Sequence, residues 1–247
     1  MPRYARKTSE MGIYHVMLRG INRQNIFEDD EDCEKMLQIL SDVKAVSQCR
    51  IFAYCLMQNH CHILLKVETE GLGHVFKRIG ARYVYWYNLK YKRVGHLFQD
   101  RFKSEAIESD NHFLAALRYI HQNPVKAGVC KDVSDYTWSS YQEYVENRTL
   151  IDTAFAFGLI DMGSFAGFHK MESSDKFLDY EIKPFLVSDT EAKRIIAEIS
   201  RCSNITEFQQ IAQDDQKAFV RKFKESGMSI RQINRMTGVS KGIVERA

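Results

Sequence analysis

Two short constellations in this chain carry residue types and spacings that could do chemistry. The first is His60-Cys61-His62. On a strand, residues i and i+2 share a face, so both imidazoles point the same way and can hold one divalent ion. Taken alone, His-x-His also fits a coincidental surface pair. Cys61 falls on the other side with Ile63 and Leu65 and reads as a buried core thiol. The second constellation is Tyr119 and Asn123, four apart and therefore on one helix face near its C-terminal end. An amide oxygen is a hard ligand suited to magnesium or manganese, and a tyrosine hydroxyl can serve as a covalent nucleophile. Each also has a plain structural reading: Tyr119 as a half-buried aromatic, Asn123 as a helix cap ahead of Pro124. With 12 tyrosines in the chain, composition does not select this one.

The elements that must position these groups are legible from periodicity. Residues 14–20 alternate and close on glycine, a strand pattern. Residues 29–46 carry apolar residues at helical spacing, with acids in the first turn where the helix dipole favours them. Arg50 to Met57 and His60 to Val67 predict a hairpin joined by Gln58-Asn59. A helix follows over 73–91, a strand over 96–107, and a helix over 111–121 that stops at Asn123-Pro124, because proline disfavours helix in the preceding residue. The order β-α-β-β-α-β predicts an α+β fold: a ferredoxin-like, split βαβ antiparallel sheet with helices on one face. Helical patterns resume from Ser188. The organisation expected is a catalytic domain over 1–146, a helical appendage or linker over 147–187, and a helical C-terminal domain over 188–247.

Length and composition narrow the class. The 247 residues are 45% hydrophobic and 27% charged, with 3 Pro and 13 Gly, which excludes collagen-like and low-complexity chains. No apolar run approaches the length of a membrane span, and no secretory signal opens the chain. The six cysteines lack paired spacing, so reduced thiols in a cytoplasmic protein are expected. The net charge of +3 conceals two basic islands. Residues 71–104 hold eight Lys or Arg against Asp100 alone, and residues 217–247 hold eight against Glu225 and Glu245. The rest of the chain is acidic, with six acids between Glu28 and Glu34. Two separate islands predict two surfaces that meet phosphates, with solvated helix faces as the plainer alternative. The first island, with Lys77, Arg78, Arg82, Arg101 and Lys103, interleaves with Tyr83, Tyr85, Trp86 and Tyr87. Such aromatics either stack unpaired bases, worth roughly 1–3 kcal/mol each, or pack under the sheet. In the second, Ile230, Ile233 and Met236 mark a short helix, Gly238 permits a turn and Ser240 caps the next, a helix-turn-helix pattern. Arg231, Lys241 and Arg246 are its candidate DNA contacts, and a small basic helical bundle is the alternative.

Four ordered segments carry a family resemblance. Met57 to Leu65 resembles the HUH motif of single-tyrosine transposases, and Arg19 to Gln24, Gly95 to Lys103 and Tyr119 to Gly128 resemble further segments of their REP-associated branch. The resemblance spans roughly residues 8–145 and implies the same ferredoxin-like sheet. It implies that His60 and His62 bind Mg2+ or Mn2+ with Asn123 completing the site, and that Tyr119 is the nucleophile. The implied reaction is metal-dependent cleavage and transfer of a single DNA strand beside a hairpin. Tyr119 displaces the 3′-oxygen and leaves a 5′-phosphotyrosine and a free 3′-OH. Free tyrosine has a pKa of about 10, so the hydroxyl needs a proton acceptor or nearby positive charge; His15 and His121 are geometrically open to that role. The resemblance further implies a bacterial, nucleoid-associated protein, monomeric or homodimeric, whose C-terminal module docks duplex DNA. Two alternatives remain at this level: a non-catalytic DNA-binding regulator derived from a transposase, and a rolling-circle-type relaxase.

Overall fold

The computed structural model describes residues 7–146, 150–171, 177–178, 189–202 and 204–246. The chain divides into two compact units, Met1–Asp179 and Tyr180–Ala247.

The first unit is built on an antiparallel sheet of β1 (Ile13–Arg19), β2 (Arg50–Met57), β3 (His60–Lys66) and β4 (Lys103–Ile107), ordered β2-β3-β1-β4. β2 and β3 form the expected hairpin, with Met57 paired to His60 across Gln58-Asn59. β1 lies between β3 and β4, antiparallel to both. Two long helices connect the strands: α1 (Asp30–Ser47) and α2 (Leu72–Lys90). Asp29 and Asp32 close a reciprocal capping box at the start of α1, each side chain accepting from the other residue's backbone N–H. Tyr83 of α2 is fully buried and donates its hydroxyl to the Ile26 carbonyl.

Alternation along the strands divides the sheet into two faces. Cys61, Ile63 and Leu65 of β3 are buried in the core, on the side covered by α1 and α2. Burial pushes the Cys61 thiol up to about 12, consistent with an inert core residue. The opposite face is covered by α3 (Asp110–Lys126), where Phe113 meets Phe52 of β2 edge-on and Tyr119 meets His62 of β3. The expectation of helices on one face therefore holds for α1 and α2 only. α3 buries the second face, packing Phe113 on Phe52 beside the fully buried Leu64.

Two boundaries differ from the periodicity. The strand expected over 96–107 is confined to Lys103–Ile107, and the preceding loop is tied to Arg19–Ile21 instead of extending the sheet. α3 does not stop before Pro124 but runs through it to Lys126. A buried proline forfeits one hydrogen bond, to the Ile120 carbonyl. The last turn is still closed by Ala127 N–H to Asn123, Gly128 N–H to Val125 and Val129 N–H to Pro124.

Residues 150–171 contribute α5 (Ala154–Phe157) and α6 (Phe165–Lys170) after the short α4 (Tyr141–Glu146), and Ile151, Ala156 and Phe165 join the core of the first unit. The other residues of the expected appendage, 147–149, 172–176 and 179–187, lie outside the described residues. The second unit consists of α7 (Asp189–Ser200), α8 (Ile205–Gln209), α9 (Gln213–Glu225), α10 (Ile230–Thr237) and α11 (Lys241–Arg246). Its core gathers Ile196, Phe208, Val220, Phe223, Ile233 and Val244. Ser229 caps α10, and Gly238 ends it with a left-handed φ of 74°. Among the described residues, no helix is long and apolar enough to cross a membrane.

Candidate active site

The α3-facing side of the sheet collects the polar groups of the first unit in rows set by strand register. His60 pairs with Arg19; His62 pairs with Met17, which pairs in turn with Lys103. One row further along, His15 pairs with Leu64 and with Glu105. Because paired residues share a face, Arg19, Lys103, His15 and Glu105 stand beside the two histidines.

The His60 and His62 rings lie 5.0 Å apart and almost perpendicular. His60 donates Nδ1–H to Asn59 Oδ1 at 2.6 Å, which makes Nε2 its lone-pair nitrogen. His62 is 1% exposed, and its Nδ1 lies 2.8 Å from Nε2 of His15. Its Nε2 is buried without a hydrogen-bond partner. Burial, with His15 and His60 adding to it, holds the His62 pKa well below the usual imidazole range, so the ring is neutral and able to ligate. A buried, neutral nitrogen with an unused lone pair fits a divalent metal. Among the described residues no three His, Cys, Asp or Glu side chains form a ligand group.

Tyr119 comes to this pair from α3. Its ring meets His62 and His15 edge-on, each at 5.8 Å between centroids. Lys126 Nζ lies 4.7 Å from the Tyr119 ring centre, and Phe177 covers the ring at 4.9 Å. Asn123 follows one turn on and donates Nδ2–H to the Tyr119 carbonyl at 3.1 Å. His121 is carried to a different face of α3. It is fully buried, bonded to Ser140 Oγ and His169 Nε2 at 2.8 Å each, and so holds α6 to α3 and is not available to Tyr119 as a base.

The first basic island separates into two sets. Arg78 is paired with Glu70 and Ser47, and Arg82 with Asp42 at 2.5 Å. Lys90 is enclosed by Asp29, Glu31 and Asp32 at 2.6–3.0 Å, so part of the acidic run is spent on this island. Lys77 and Arg101, which make no ion pair among the described residues, line a groove of about 790 Å³ between α2 and the 96–102 loop. Tyr85, 74% exposed, and Phe98 share that groove. Tyr83 and Tyr87 are core residues and cannot stack bases, and Trp86 is half-buried under Lys90. The groove loop is bound to the end of β1: Ile21 N–H donates to Leu97, Gln99 N–H to Arg19, and Gly20 N–H to Asn59. A Cβ on Gly20 would lie 2.1 Å from the Gln24 carbonyl, so only glycine allows this approach. In the second unit Lys241 and Arg246 are exposed on α11, while the side chain of Arg231 in α10 lies outside the described residues.

Glu105 and Lys126 had no signal in the sequence. Glu105 is visible only through the pairing of β4 with β1, and Lys126 only once α3 passes Pro124.

Residues 8–123 match the family model for the IS200-like transposases. The structure of a REP-associated tyrosine transposase bound to a REP hairpin superposes with a TM-score of 0.55 at 21% identity, covering 73% of this chain and 98% of that one. That likeness is one of fold. A transposase-like protein from Deinococcus radiodurans R1 aligns at a TM-score of 0.36 and 16% identity over 49% of this chain and 97% of its own, too little to carry an argument. No curated protein matches the chain.

Proposed function

We propose that this chain is a metal-dependent single-strand DNA endonuclease and strand transferase that forms a 5′-phosphotyrosine on Tyr119 at a site beside a hairpin. The observation that carries the reading is the packing of Tyr119 against His62, whose buried Nε2 has no partner. The split βαβ order of the sheet supports a ferredoxin-like class for the catalytic domain.

His60, His62 and Asn123 would hold Mg2+ or Mn2+, which when bound polarises a non-bridging oxygen of the scissile phosphate and offsets charge built up at transfer. Arg19 and Lys103 add positive charge on the same face for the phosphate. The Lys126 ammonium over the Tyr119 ring favours the phenolate. Tyr119 Oη attacks phosphorus in line; the new P–O bond forms as the bond to the 3′-oxygen breaks, and the 3′-oxygen leaves as a hydroxyl. The covalent link conserves the phosphodiester, so a second 3′-OH can reverse it without an energy source.

The groove with Lys77, Arg101 and Tyr85 guides the single strand, its loop anchored beside His60 through Gly20 and Asn59. α10 and α11 act as a helix-turn-helix that docks duplex DNA through Arg231, Lys241 and Arg246. The protein works in the bacterial cytoplasm on chromosomal DNA.

The test is incubation with labelled single-stranded hairpin DNA and Mn2+, followed by denaturing electrophoresis. A covalent adduct in the wild type that vanishes in Tyr119→Phe is the expected result. No adduct with any hairpin substrate, or an unchanged one in Tyr119→Phe, sinks the reading and leaves a non-catalytic DNA-binding protein.

A further inference from the structure

Behind His62 the sheet holds a buried imidazole and a half-buried carboxylate that the proposed reaction does not use. His15 is fully buried on β1, and Glu105 is its partner across β4. His15 Nε2 lies 2.8 Å from His62 Nδ1. On its other side, His15 Nδ1 faces Glu105 Oε2 at 3.9 Å. Both of those atoms are buried without a hydrogen-bond partner. The other oxygen of Glu105 has His112 Nε2 at 3.7 Å, and Phe177 covers His15 at 5.7 Å.

One proton sits between the two imidazoles, and it can be assigned in two ways. If His15 donates to His62, then His62 carries its other proton on Nε2, a buried donor without an acceptor. His15 Nδ1 would then turn a lone pair towards a carboxylate. Both features are unfavourable, since a buried donor left unmade costs its full desolvation and two lone pairs repel. If His62 donates to His15 instead, His62 Nε2 bears the lone pair and His15 Nδ1–H points at the Glu105 carboxylate. His15 Nδ1–H then faces the carboxylate, and the His62 Nε2 lone pair is the one imidazole group of the pair left open for a metal.

We propose that Glu105 and His15 form a positioning chain that fixes His62 as the Nδ1–H tautomer and aims its Nε2 lone pair at the metal. The proposal rests on the metal-binding reading above and deepens it. Outer partners of ligating histidines set tautomer and ring orientation, and their loss commonly weakens metal binding 10- to 100-fold. At this site the carboxylate acts at one remove, through a second imidazole on the neighbouring strand. The arrangement needs both β1–β3 and β1–β4 pairing, which places β4 among the elements that build the site although it donates no ligand.

The test uses the full-length chain with Mn2+ titrated calorimetrically, and 15N spectra of its histidines without metal. The wild type shows His62 protonated at Nδ1. His15→Phe keeps the volume but removes the acceptor, and binds Mn2+ 10- to 100-fold more weakly. His15→Gln returns an acceptor facing His62 and recovers most of the affinity. Glu105→Gln weakens binding and shifts His62 towards the Nε2–H tautomer. Wild-type affinity in both His15→Phe and Glu105→Gln, while His60→Ala loses Mn2+, overturns the positioning chain alone. A wild type that binds no Mn2+ and does not differ from His60→Ala overturns the metal reading, and the chain with it. Should His15→Phe fail to fold, Glu105→Gln decides: unchanged affinity and an unchanged His62 tautomer overturn the proposal.

Discussion

Tyr119 on α3 stands edge-on to His62 on β3, 5.8 Å between ring centres, at an imidazole whose Nε2 is buried and without a hydrogen-bond partner. The proposed nucleophile and the proposed ligand are thus held by packing between a helix and a sheet, not by a shared loop. A metal bound there stabilises the folded first unit through mass action, by about 2.7 kcal/mol at a hundredfold excess over Kd. Mn2+ should therefore raise the Tm of the wild type and leave that of His60→Ala unmoved. Equal shifts in both would place the ion elsewhere.

The division of the basic island predicts unequal effects on single-strand binding. Each phosphate contact to a single strand contributes about 0.7 to the slope of log affinity against log salt. The double variant Lys77→Gln with Arg101→Gln should lower that slope by about 1.4. Arg78→Gln with Arg82→Gln removes cations already paired with Glu70 and Asp42 and should leave it near the wild-type value. Fluorescence anisotropy across a salt series distinguishes the two, and a larger loss in the second pair would refute the groove.

Acid should weaken the junction of α3 and α6. Burial pushes His169 down to about 4, opposed by its bond to the Phe165 carbonyl and aided by Arg118, whereas an unfolded histidine titrates near 6.5. A depressed folded value means the unfolded chain binds the proton more tightly. The contribution is complete above pH 6.5 and is lost as pH falls towards 4, on the order of 3 kcal/mol in all. Denaturant melts at pH 7 and pH 4.5 should show that loss in the wild type, reduced by roughly 2 kcal/mol in His169→Phe. The same loss in both would remove His169 as its cause.

Gly238 makes a prediction confined to the second unit. Its φ of 74° is strained for any residue with a side chain, and an added Cβ would meet Gln209 Nε2 at 2.1 Å and Ile205 Cγ2 at 3.2 Å. Gly238→Ala should destabilise the second unit by about 1–2 kcal/mol and weaken duplex binding. Adduct formation by the first unit with a minimal hairpin should not change. A variant as stable as the wild type would show that the turn tolerates another conformation.

Local chemistry made much of the site readable in advance. The alternation of His60, Cys61 and His62, the two-residue hairpin and the i,i+4 spacing of Tyr119 and Asn123 depend only on strand and helix geometry, which a short window of residues determines. The two faces of the sheet, however, depend on what covers them. α3 packs opposite α1 and α2, so Tyr119 meets His62, while His121, two residues along the same helix, turns away into a cluster with Ser140 and His169. Periodicity marked Tyr83 and Tyr87 as possible base platforms; packing made them core. Charge counting marked eight cations between 71 and 104 alike; only the fold shows that Arg78 is held by Glu70, and Arg82 and Lys90 by acids distant in sequence. Glu105 entered the site through strand register alone. By itself the sequence determined which residues could act and on which local face they lie. The tertiary structure decided which of them meet, because long-range pairing, burial and ion pairing join groups that no local pattern relates.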